Sequence, residues 1–508
     1  MHIFCFRWRN PFLSRIGSVT LAVGLVVAVF AHPSQSQAST AQIELTAIAQ
    51  AAPNNTFPAD ESIDVFVEEM MAERQIPGLS LAVIHDRKLI KTQGYGFLNT
   101  ELNVKTRPST IFPIASMSKP LTATAIMLLV QEGKVELDAP IGTYLADAPD
   151  HWQEITVRRL LDHTAGLSES VYAENSWMGP DDFIEKAAIA PLDFEPGESW
   201  MYSNTGYSLA SSLVEEVSGD TFSAFMANRM FEPTGMNHTD GILDSYLLSN
   251  HAMGYFADGN DSLQPLSQVL RGDNSIRKIM HGLQGAGSVT SNVLDLARWE
   301  IALQKGQLLD SAMQAEMYEL GTMTSGKRTG YGLGWFIKDI NGHAVISHGG
   351  NLWGYSTSIS RFPDDQLTVI VLTNKNGEDG DRIARKIAEQ YIPDLAIDGN
   401  APVIADPSPA ITEQILAFVN GDETAIEMTP EDQIALTSTV RGRQMYAQWV
   451  ERSSQNPVKE LELLAVASHP NGTKHRYRAT TDNGARLLSI VITPDGFISG
   501  MDMSLEDG

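Results

Sequence analysis

The sequence has almost no cysteine: the single one among 508 residues is Cys5. It lies in an N-terminal segment in which a basic stretch, residues 7–15, precedes an apolar run at 16–30 and small residues at 36–38. This order is typical of a secretory signal peptide, so we predict that residues 1–38 are removed. The remaining chain would then lack disulfides, a thiolate nucleophile and cysteine-ligated metals.

Long hydrophobic runs are also missing. The run at 16–30 has 15 residues, whereas a membrane-spanning helix needs about 20. We therefore expect a secreted or periplasmic protein without a membrane span after signal cleavage. The alternative is an uncleaved signal that acts as a membrane anchor.

Positive charge is scarce, because 36 lysines and arginines face 62 acidic residues and the net charge is −26. Such an excess of negative charge repels a phosphate backbone, so we do not expect nucleic acid as a partner. It also disfavours binding to anionic lipid.

The patterning of the remaining chain indicates two folded parts. After a predicted linker at 39–58, strand-like runs lie at both ends of residues 59–392 and helical patterns lie between them. We predict an α+β fold with an antiparallel sheet and a helical subdomain, and we call residues 59–392 the main domain. Strands are predicted at 79–84, 89–96, 332–338, 344–347, 355–360 and 368–373, and helices at 117–131, 157–163, 181–189, 206–218, 222–230, 292–304 and 382–391.

Four prolines in residues 393–409 indicate a second linker. Residues 410–508 then show one helical pattern, followed by apolar runs that are separated by Asn-Gly and Asp-Gly turn signals. We predict a small α+β accessory unit here, the C-terminal module, and see no catalytic constellation in it.

A nucleophile candidate begins the predicted helix at 117–131. Ser116 and Lys119 lie three residues apart, so they share a helix face, and a lysine held neutral could take the serine proton. Alone, Ser-x-x-Lys is a weak signal, because residues 275–278 also match it. The alternative is a serine that caps the helix and a lysine in solvent.

Two further groups follow in the chain. Tyr202 could relay a proton and Asn204 could hold a substrate carbonyl, although a buried tyrosine and a helix cap would give the same pattern. His348, Gly350 and Asn351 precede a predicted strand, where glycine lets a substrate backbone approach closely. Here the alternative is a histidine in a flexible turn.

In this order, Ser116-x-x-Lys119, Tyr202-x-Asn204 and His348-x-Gly350 resemble the three motifs of the serine β-lactamase and penicillin-binding-protein superfamily. The similarity is to its class C-like branch, which includes D-Ala-D-Ala carboxypeptidases, D-aminopeptidases and esterases. Connecting stretches also resemble that branch, namely residues 114–120, 160–167, 194–197, 285–288 and 331–335. The resemblance covers about residues 60–392 and leaves out the C-terminal module.

The resemblance implies a role for each motif residue. Ser116 would be acylated, with Lys119 and Tyr202 moving its proton to the leaving group. Asn204 would hold the acyl-side amide of a small-molecule or peptide substrate, and His348 would orient or polarise Tyr202. The N–H groups of Ser116 and Asn351 would bind the oxyanion, worth about 3 kcal/mol per donor. No metal or cofactor is expected.

The third motif departs from β-lactamases, which usually have a lysine where this chain has His348. A histidine is only partly charged near neutral pH, so it binds a carboxylate more weakly. We therefore rank ester or D-residue peptide hydrolysis above β-lactam hydrolysis. A β-lactamase proper and a non-catalytic penicillin-binding sensor remain alternatives. His163 and Ser118 are expected to have structural roles.

Overall fold

The computed structural model describes residues 59–173, 180–241, 250–257, 262–269, 282–396, 399–422 and 424–504. The predicted signal peptide, the linker at 39–58 and the second Ser-x-x-Lys match at 275–278 lie outside these ranges. Within them, no helix is both long and apolar enough to cross a membrane. All described residues belong to one compact unit, and the predicted division at 393–409 stays a prediction.

The strands form two large antiparallel sheets and two short pairs. They are β1 (Gly78–His85), β2 (Lys88–Asn99), β3 (Val104–Lys105), β4 (Phe112–Pro113), β5 (Tyr255–Ala257), β6 (Leu263–Pro265), β7 (Thr290–Ser291), β8 (Phe336–Ile340), β9 (His343–Leu352), β10 (Tyr355–Phe362), β11 (Leu367–Thr373), β12 (Glu460–His469), β13 (Gly472–Thr481), β14 (Gly484–Ile492) and β15 (Ile498–Ser504).

The helices come mainly between β3 and β8, with a second group after β11. They are α1 (Asp60–Glu73), α2 (Ser118–Gln131), α3 (Val157–Leu161), α4 (Ser170–Ala173), α5 (Pro180–Ile189), α6 (Asn204–Ser218), α7 (Phe222–Met226), α8 (Glu232–Thr234), α9 (Leu266–Val269), α10 (Val293–Gln304), α11 (Ser311–Met317), α12 (Gly380–Ala388), α13 (Pro409–Val419), α14 (Pro430–Ser438) and α15 (Val440–Gln455).

The seven-stranded sheet has the order β3-β2-β1-β11-β10-β9-β8 and joins the two ends of the main domain. Its centre is the antiparallel pairing of β1 with β11, in which Leu79 lies opposite Thr373. Apolar side chains of these strands pack against α1 and α12 in one core, while α10 contacts β1 and β11. Since helices cover these central strands, their residues are buried almost throughout. The predicted α+β fold with its antiparallel sheet is confirmed.

Two local predictions are wrong. The strand predicted at 332–338 is β8, which begins only at Phe336, because the preceding residues form a buried turn in which Gly334 has φ +88°. This turn packs closely on α2, since a Cβ at Gly334 would lie 2.9 Å from Ala123 Cβ. Its apolar residues therefore reflect burial and not strand pairing. The third motif, predicted to lead into the strand that begins near residue 355, lies within the preceding strand β9.

The C-terminal module contains the sheet β12-β13-β14-β15, and α13 packs against it through Ile415 and Phe418. Helices α14 and α15 have no counterpart among the predicted elements. Helix α15 is largely polar and includes Gly442, and a glycine within a helix disfavours a helix prediction. Both helices contact the main domain.

Candidate active site

Ser116 lies in a 3₁₀ turn, Ala115–Met117, that leads directly into α2. Ala115 has φ +51°, a left-handed conformation that costs a residue with a side chain about 1–3 kcal/mol. The Met117 N–H donates the first hydrogen bond of this turn, to Ile114 O, and the Ser116 N–H directly precedes it in the chain. At such a helix start, unpaired N–H groups and the helix dipole favour negative charge.

Lys119 has no solvent-exposed surface, so the alternative of a lysine in solvent is wrong. Its Nζ lies 2.8 Å from Asn204 Oδ1, 2.8 Å from Ala286 O and 3.3 Å from Ser116 Oγ. The amide and carbonyl oxygens can only accept hydrogen bonds. A neutral amine therefore donates its two hydrogens to them and directs its lone pair at the serine hydroxyl.

Burial favours the neutral form of Lys119. Desolvation lowers its pKa well below the ordinary value of 10.5, and the positive charge of Arg441 lowers it further. The carboxylate of Glu169 acts in the opposite direction and raises the pKa. Desolvation is the largest of the three effects, so the neutral base is favoured.

Glu169 is a site residue that the sequence did not indicate. Its carboxylate accepts hydrogen bonds from Asn204 Nδ2 (3.3 Å), Ser203 Oγ (2.9 Å) and Thr205 N–H (2.9 Å). Because the Asn204 amide nitrogen faces Glu169, its carbonyl oxygen faces Lys119. Glu169 thus fixes the orientation of the amide. A single glutamate that follows residues 160–167 offers no pattern from which this role could be read.

Tyr202 is partly exposed and precedes α6, whose N-terminus is capped by Ser203 and not by Asn204. The Tyr202 ring centroid lies 4.6 Å from Lys119 Nζ, and its hydroxyl shares a hydrogen bond with Ser116. Burial raises the pKa of Tyr202 above its ordinary value of 10, although the bond with Ser116 lowers it. The phenol is therefore neutral and can carry a proton between serine and a leaving group.

His163 contacts both Ser203 and Tyr202 of the second motif, in agreement with the structural role expected for it. Its Nδ1 accepts a hydrogen bond from the Ser203 N–H at 3.1 Å, and its ring lies 4.4 Å from that of Tyr202 between centroids. Burial lowers its pKa well below the ordinary 6.5, so the ring stays neutral and Nδ1 remains an acceptor. Ser118 likewise accepts a hydrogen bond from Val289 N–H.

His348 is buried, with 1% of its surface exposed, and both ring nitrogens are occupied. Nδ1 lies 2.7 Å from Gly349 O, which can only accept, so Nδ1 carries the hydrogen. Nε2 then accepts from the Tyr331 hydroxyl at 2.9 Å. Burial lowers the pKa of His348 to about 3, so the third motif holds no positive charge near neutral pH.

The role implied for His348 is therefore corrected in part. Its ring lies beside Tyr202, with centroids 6.1 Å apart, but its hydrogen bond goes to Tyr331 instead. His348 can act on Tyr202 only through packing and through the shared neighbour Phe336, which lies 5.3 Å from His348 and 6.2 Å from Tyr202 between ring centroids.

Gly350 lies on β9 where this strand passes the serine. A Cβ there would lie 2.3 Å from Ile114 O and 3.1 Å from Ala115 Cβ, so only glycine permits this approach. Strand β8 pairs with β9 only as far as Ser347, and none of the described strands continues that edge. Asn351 lies on the same stretch, and its N–H as an oxyanion donor stays a prediction.

The fold thus brings the predicted residues together at one place. Ser116, Lys119, Tyr202 and Asn204 are linked by direct contacts, and β9 places Gly350 against the turn that carries the serine. Such an arrangement contains a nucleophile, a neutral base and a proton-carrying phenol, which suits acyl transfer.

The comparisons with known proteins agree with this geometry. Residues 63–392 match the family model described as Beta-lactamase. Penicillin-binding protein 4* of Bacillus subtilis is 28% identical over 360 residues, covering 67% of this chain and 78% of that protein.

Two solved structures show the same fold. The octameric penicillin-binding protein homologue from Pyrococcus abyssi is 22% identical with a TM-score of 0.55, covering 88% of this chain and 100% of that one. The D-amino acid amidase from Ochrobactrum anthropi SV3 is also 22% identical, with a TM-score of 0.56, covering 66% of this chain and 98% of that one. Together with the match over most of its length, these findings show that the chain belongs to the beta-lactamase family of serine hydrolases.

Proposed function

We propose that this protein hydrolyses esters or D-residue peptides through an acyl-enzyme formed on Ser116. The observation that carries the proposal is the buried Lys119 amine, whose two other contacts are acceptors, so that its lone pair faces Ser116 Oγ. A serine hydroxyl needs such a base to become an effective nucleophile.

The reaction follows from these contacts. Ser116 Oγ bonds to the substrate carbonyl carbon while its proton passes to Lys119, and the negative charge collects on the carbonyl oxygen. The N–H groups of Ser116 and Asn351 then stabilise this oxyanion. The bond to the leaving group breaks as Tyr202 supplies a proton and regains one from Lys119. Water finally attacks the ester of Ser116, and the same groups return the proton to Oγ.

The state of His348 supports the choice of substrate class. A neutral, fully hydrogen-bonded imidazole offers no cation to a β-lactam carboxylate at the third motif, so esters and peptides rank above β-lactams. The D-amino acid amidase among the structural neighbours adds support for D-residue substrates. A β-lactamase proper and a non-catalytic penicillin-binding protein are the competing proposals.

The test compares wild-type protein with Ser116→Ala and with the matched control Ser275→Ala, which removes the serine of the other Ser-x-x-Lys match. We expect wild type and Ser275→Ala to release more than one equivalent of phenol from an activated ester, and Ser116→Ala to release none. Intact mass should show an adduct on wild type after incubation with ester or benzylpenicillin.

Each competing function predicts a different result. A stoichiometric burst without turnover would favour the non-catalytic binding protein. Rapid conversion of benzylpenicillin without a lasting adduct would favour the β-lactamase. Full activity of Ser116→Ala would overturn the assignment of the nucleophile.

We also propose that the protein is exported through the segment 1–38. N-terminal sequencing of protein recovered from outside the cytoplasm should then begin at residue 39. A first residue within 1–30 would favour the uncleaved anchor.

A further inference from the structure

A residue of the C-terminal module reaches the site of the main domain. Arg441 is the second residue of α15, and its guanidinium carbon lies 4.8 Å from the centroid of the Tyr202 ring. At this distance the positive charge is attracted to the face of the aromatic ring. The phenol assigned to proton transfer therefore has a cation beside it that comes from outside the domain holding the three motifs.

Among the residues that the structure describes, the guanidinium of Arg441 has no hydrogen-bond or ion-pair partner, and it is partly exposed to solvent. Arg443 on the same helix differs, because its Nη1 donates to Thr437 O and Ser438 O. An arginine carries five N–H donors in a fixed fork that matches a carboxylate.

Contacts between the two parts hold Arg441 in place. The N–H of the preceding residue, Val440, donates to the Asp193 carboxylate of the main domain. Ser199 Oγ donates to Glu431 O at 2.6 Å, and Lys327 Nζ lies 2.6 Å from Asp432 Oδ2. Helices α14 and α15 are thus anchored on the segment that leads to Tyr202 and on Lys327.

Burial disfavours a positive charge on the other basic groups of the site. It lowers the pKa of Lys119 well below the ordinary 10.5 and lowers that of His348 to about 3. Arginine remains charged at any physiological pH. The charge of Arg441 also lowers the pKa of both Lys119 and Tyr202, as expected for a cation placed over the Tyr202 ring.

We propose that Arg441 is a specificity-determining residue that binds a carboxylate on the leaving-group side of the substrate. This inference rests on the proposed function, in which Tyr202 delivers a proton to the leaving group, so a cation over its ring lies on that side. The C-terminal module then selects substrates for a reaction that the main domain performs. It supplies from another part of the chain the positive charge that His348 does not provide.

Two substrate pairs test the role of Arg441. The acetate esters of 4-hydroxybenzoate and 4-hydroxybenzamide differ only in a carboxylate on the leaving group, and an N-acylated D,D-dipeptide is compared with its C-terminal carboxamide. Values of kcat/KM are measured for wild type, Arg441→Gln, Arg441→Lys and the control Arg443→Gln, which removes an equal charge from the same helix.

We expect wild type to prefer the carboxylate member of a pair. At a pH above the acid limb of the kcat/KM profile, Arg441→Gln should lower kcat/KM for that member by about 10- to 100-fold, as for the loss of hydrogen bonds to a charged group, and change the neutral member by less than about threefold. Arg441→Lys should retain part of the preference, because it keeps the charge without the fork. Arg443→Gln should match wild type.

Other outcomes would overturn the inference. An equal loss for both members would show that Arg441 acts through Tyr202 or through folding, and a wild type without preference would remove the need for a carboxylate site. If Arg441→Gln matches wild type while Ser116→Ala is inactive, only this inference fails. If wild type hydrolyses none of the four compounds, the proposed function fails with it.

Discussion

The main domain and the C-terminal module each pack helices against an antiparallel sheet, but they differ in the polar groups that they bury. In the main domain, fully buried side chains include Lys119, Asp295 and Glu300. Among the described residues of the module, the buried polar side chains are hydroxyl groups and one histidine: Thr429, Thr439, His475, Thr481 and Ser499.

This difference shows that the main domain, and not the C-terminal module, buries ionisable groups at a cost in desolvation free energy. Burying an amine such as Lys119 is unfavourable unless it becomes neutral and keeps hydrogen-bond partners, and a shifted pKa of this kind is typical of catalytic sites. None of the described residues of the module buries a lysine or a carboxylate in this way. Its charged contribution, Arg441, lies on the surface that faces Tyr202. We thus expect the main domain to perform catalysis and the C-terminal module to select the substrate.

The largest effect is expected for Lys119→Met, which removes the base from the main domain. Turnover of a neutral activated ester should fall by at least about 1,000-fold, because Ser116 then has no neutral amine to take its proton. Steady-state kinetics of the purified variants would measure this. The control is Lys134→Met, an exposed lysine just after α2, which should match wild type. Comparable activity in Lys119→Met would exclude lysine as the base.

The second effect is a pH dependence of kcat/KM that involves both Lys119 of the main domain and Arg441 of the C-terminal module. Lys119 must be neutral to act, so kcat/KM should fall about tenfold per pH unit below its lowered pKa. Because the charge of Arg441 lowers that pKa, Arg441→Gln should move this acid limb to higher pH.

The same profile, recorded on a neutral ester from about pH 5 to pH 10, also tests His348. Its pKa of about 3 lies below this range, so His348→Asn should leave the limb where it is. A limb that disappears in His348→Asn would assign the base to the histidine instead.

A smaller loss is expected for Glu169→Gln, which tests how the main domain orients its polar groups. Asn204 Nδ2 donates to Oε2 of Glu169, whereas the Thr205 N–H donates to Oε1. A glutamine that keeps its single oxygen toward Thr205 turns its NH2 group to Asn204, so the amide of Asn204 is no longer held with its oxygen toward Lys119. We expect kcat/KM to fall about tenfold and the free energy of unfolding to fall by about 1–3 kcal/mol. The exposed Glu195→Gln is the control. Unchanged kinetics would show that Asn204 keeps its orientation without Glu169.

The smallest effect is expected for Lys327→Met, which removes an anchor between the two parts. Lys327 Nζ contacts Thr429 Oγ1 at 2.7 Å and Asp432 Oδ2 at 2.6 Å. Partly exposed ion pairs contribute about 0–1 kcal/mol, so stability should change little and neutral-ester turnover should stay within about threefold. The preference for carboxylate substrates should weaken as Arg441 becomes less fixed. Exposed Lys305→Met serves as the control.

A large loss of neutral-ester turnover in Lys327→Met would contradict this division of roles between the main domain and the C-terminal module. It would mean that the module supports the chemical step itself, and not only the choice of substrate.

Much of the fold was accessible from sequence patterns. The hairpin of β1 and β2, helix α2 and the strands of the C-terminal sheet follow from apolar periodicity and turn residues, which are local signals. The buried turn before β8 is wrongly predicted as a strand, because an apolar run is equally typical of a strand and of a loop packed under a helix. Helix α15 is absent from the predicted elements because its residues are mostly polar.

Local sequence motifs are enough to establish the family resemblance and the identity of the reacting groups, since Ser116, Lys119, Tyr202 and Asn204 stand in motifs of short spacing. The protonation states and orientations of these groups depend on the folded structure. Neutrality of Lys119 and His348 depends on burial by distant segments, and the contacts of Glu169 with Asn204 and of Arg441 with Tyr202 join residues 35 and 239 positions apart. Desolvation and hydrogen bonding act through space, so folding, and not sequence spacing, sets the charge at the site.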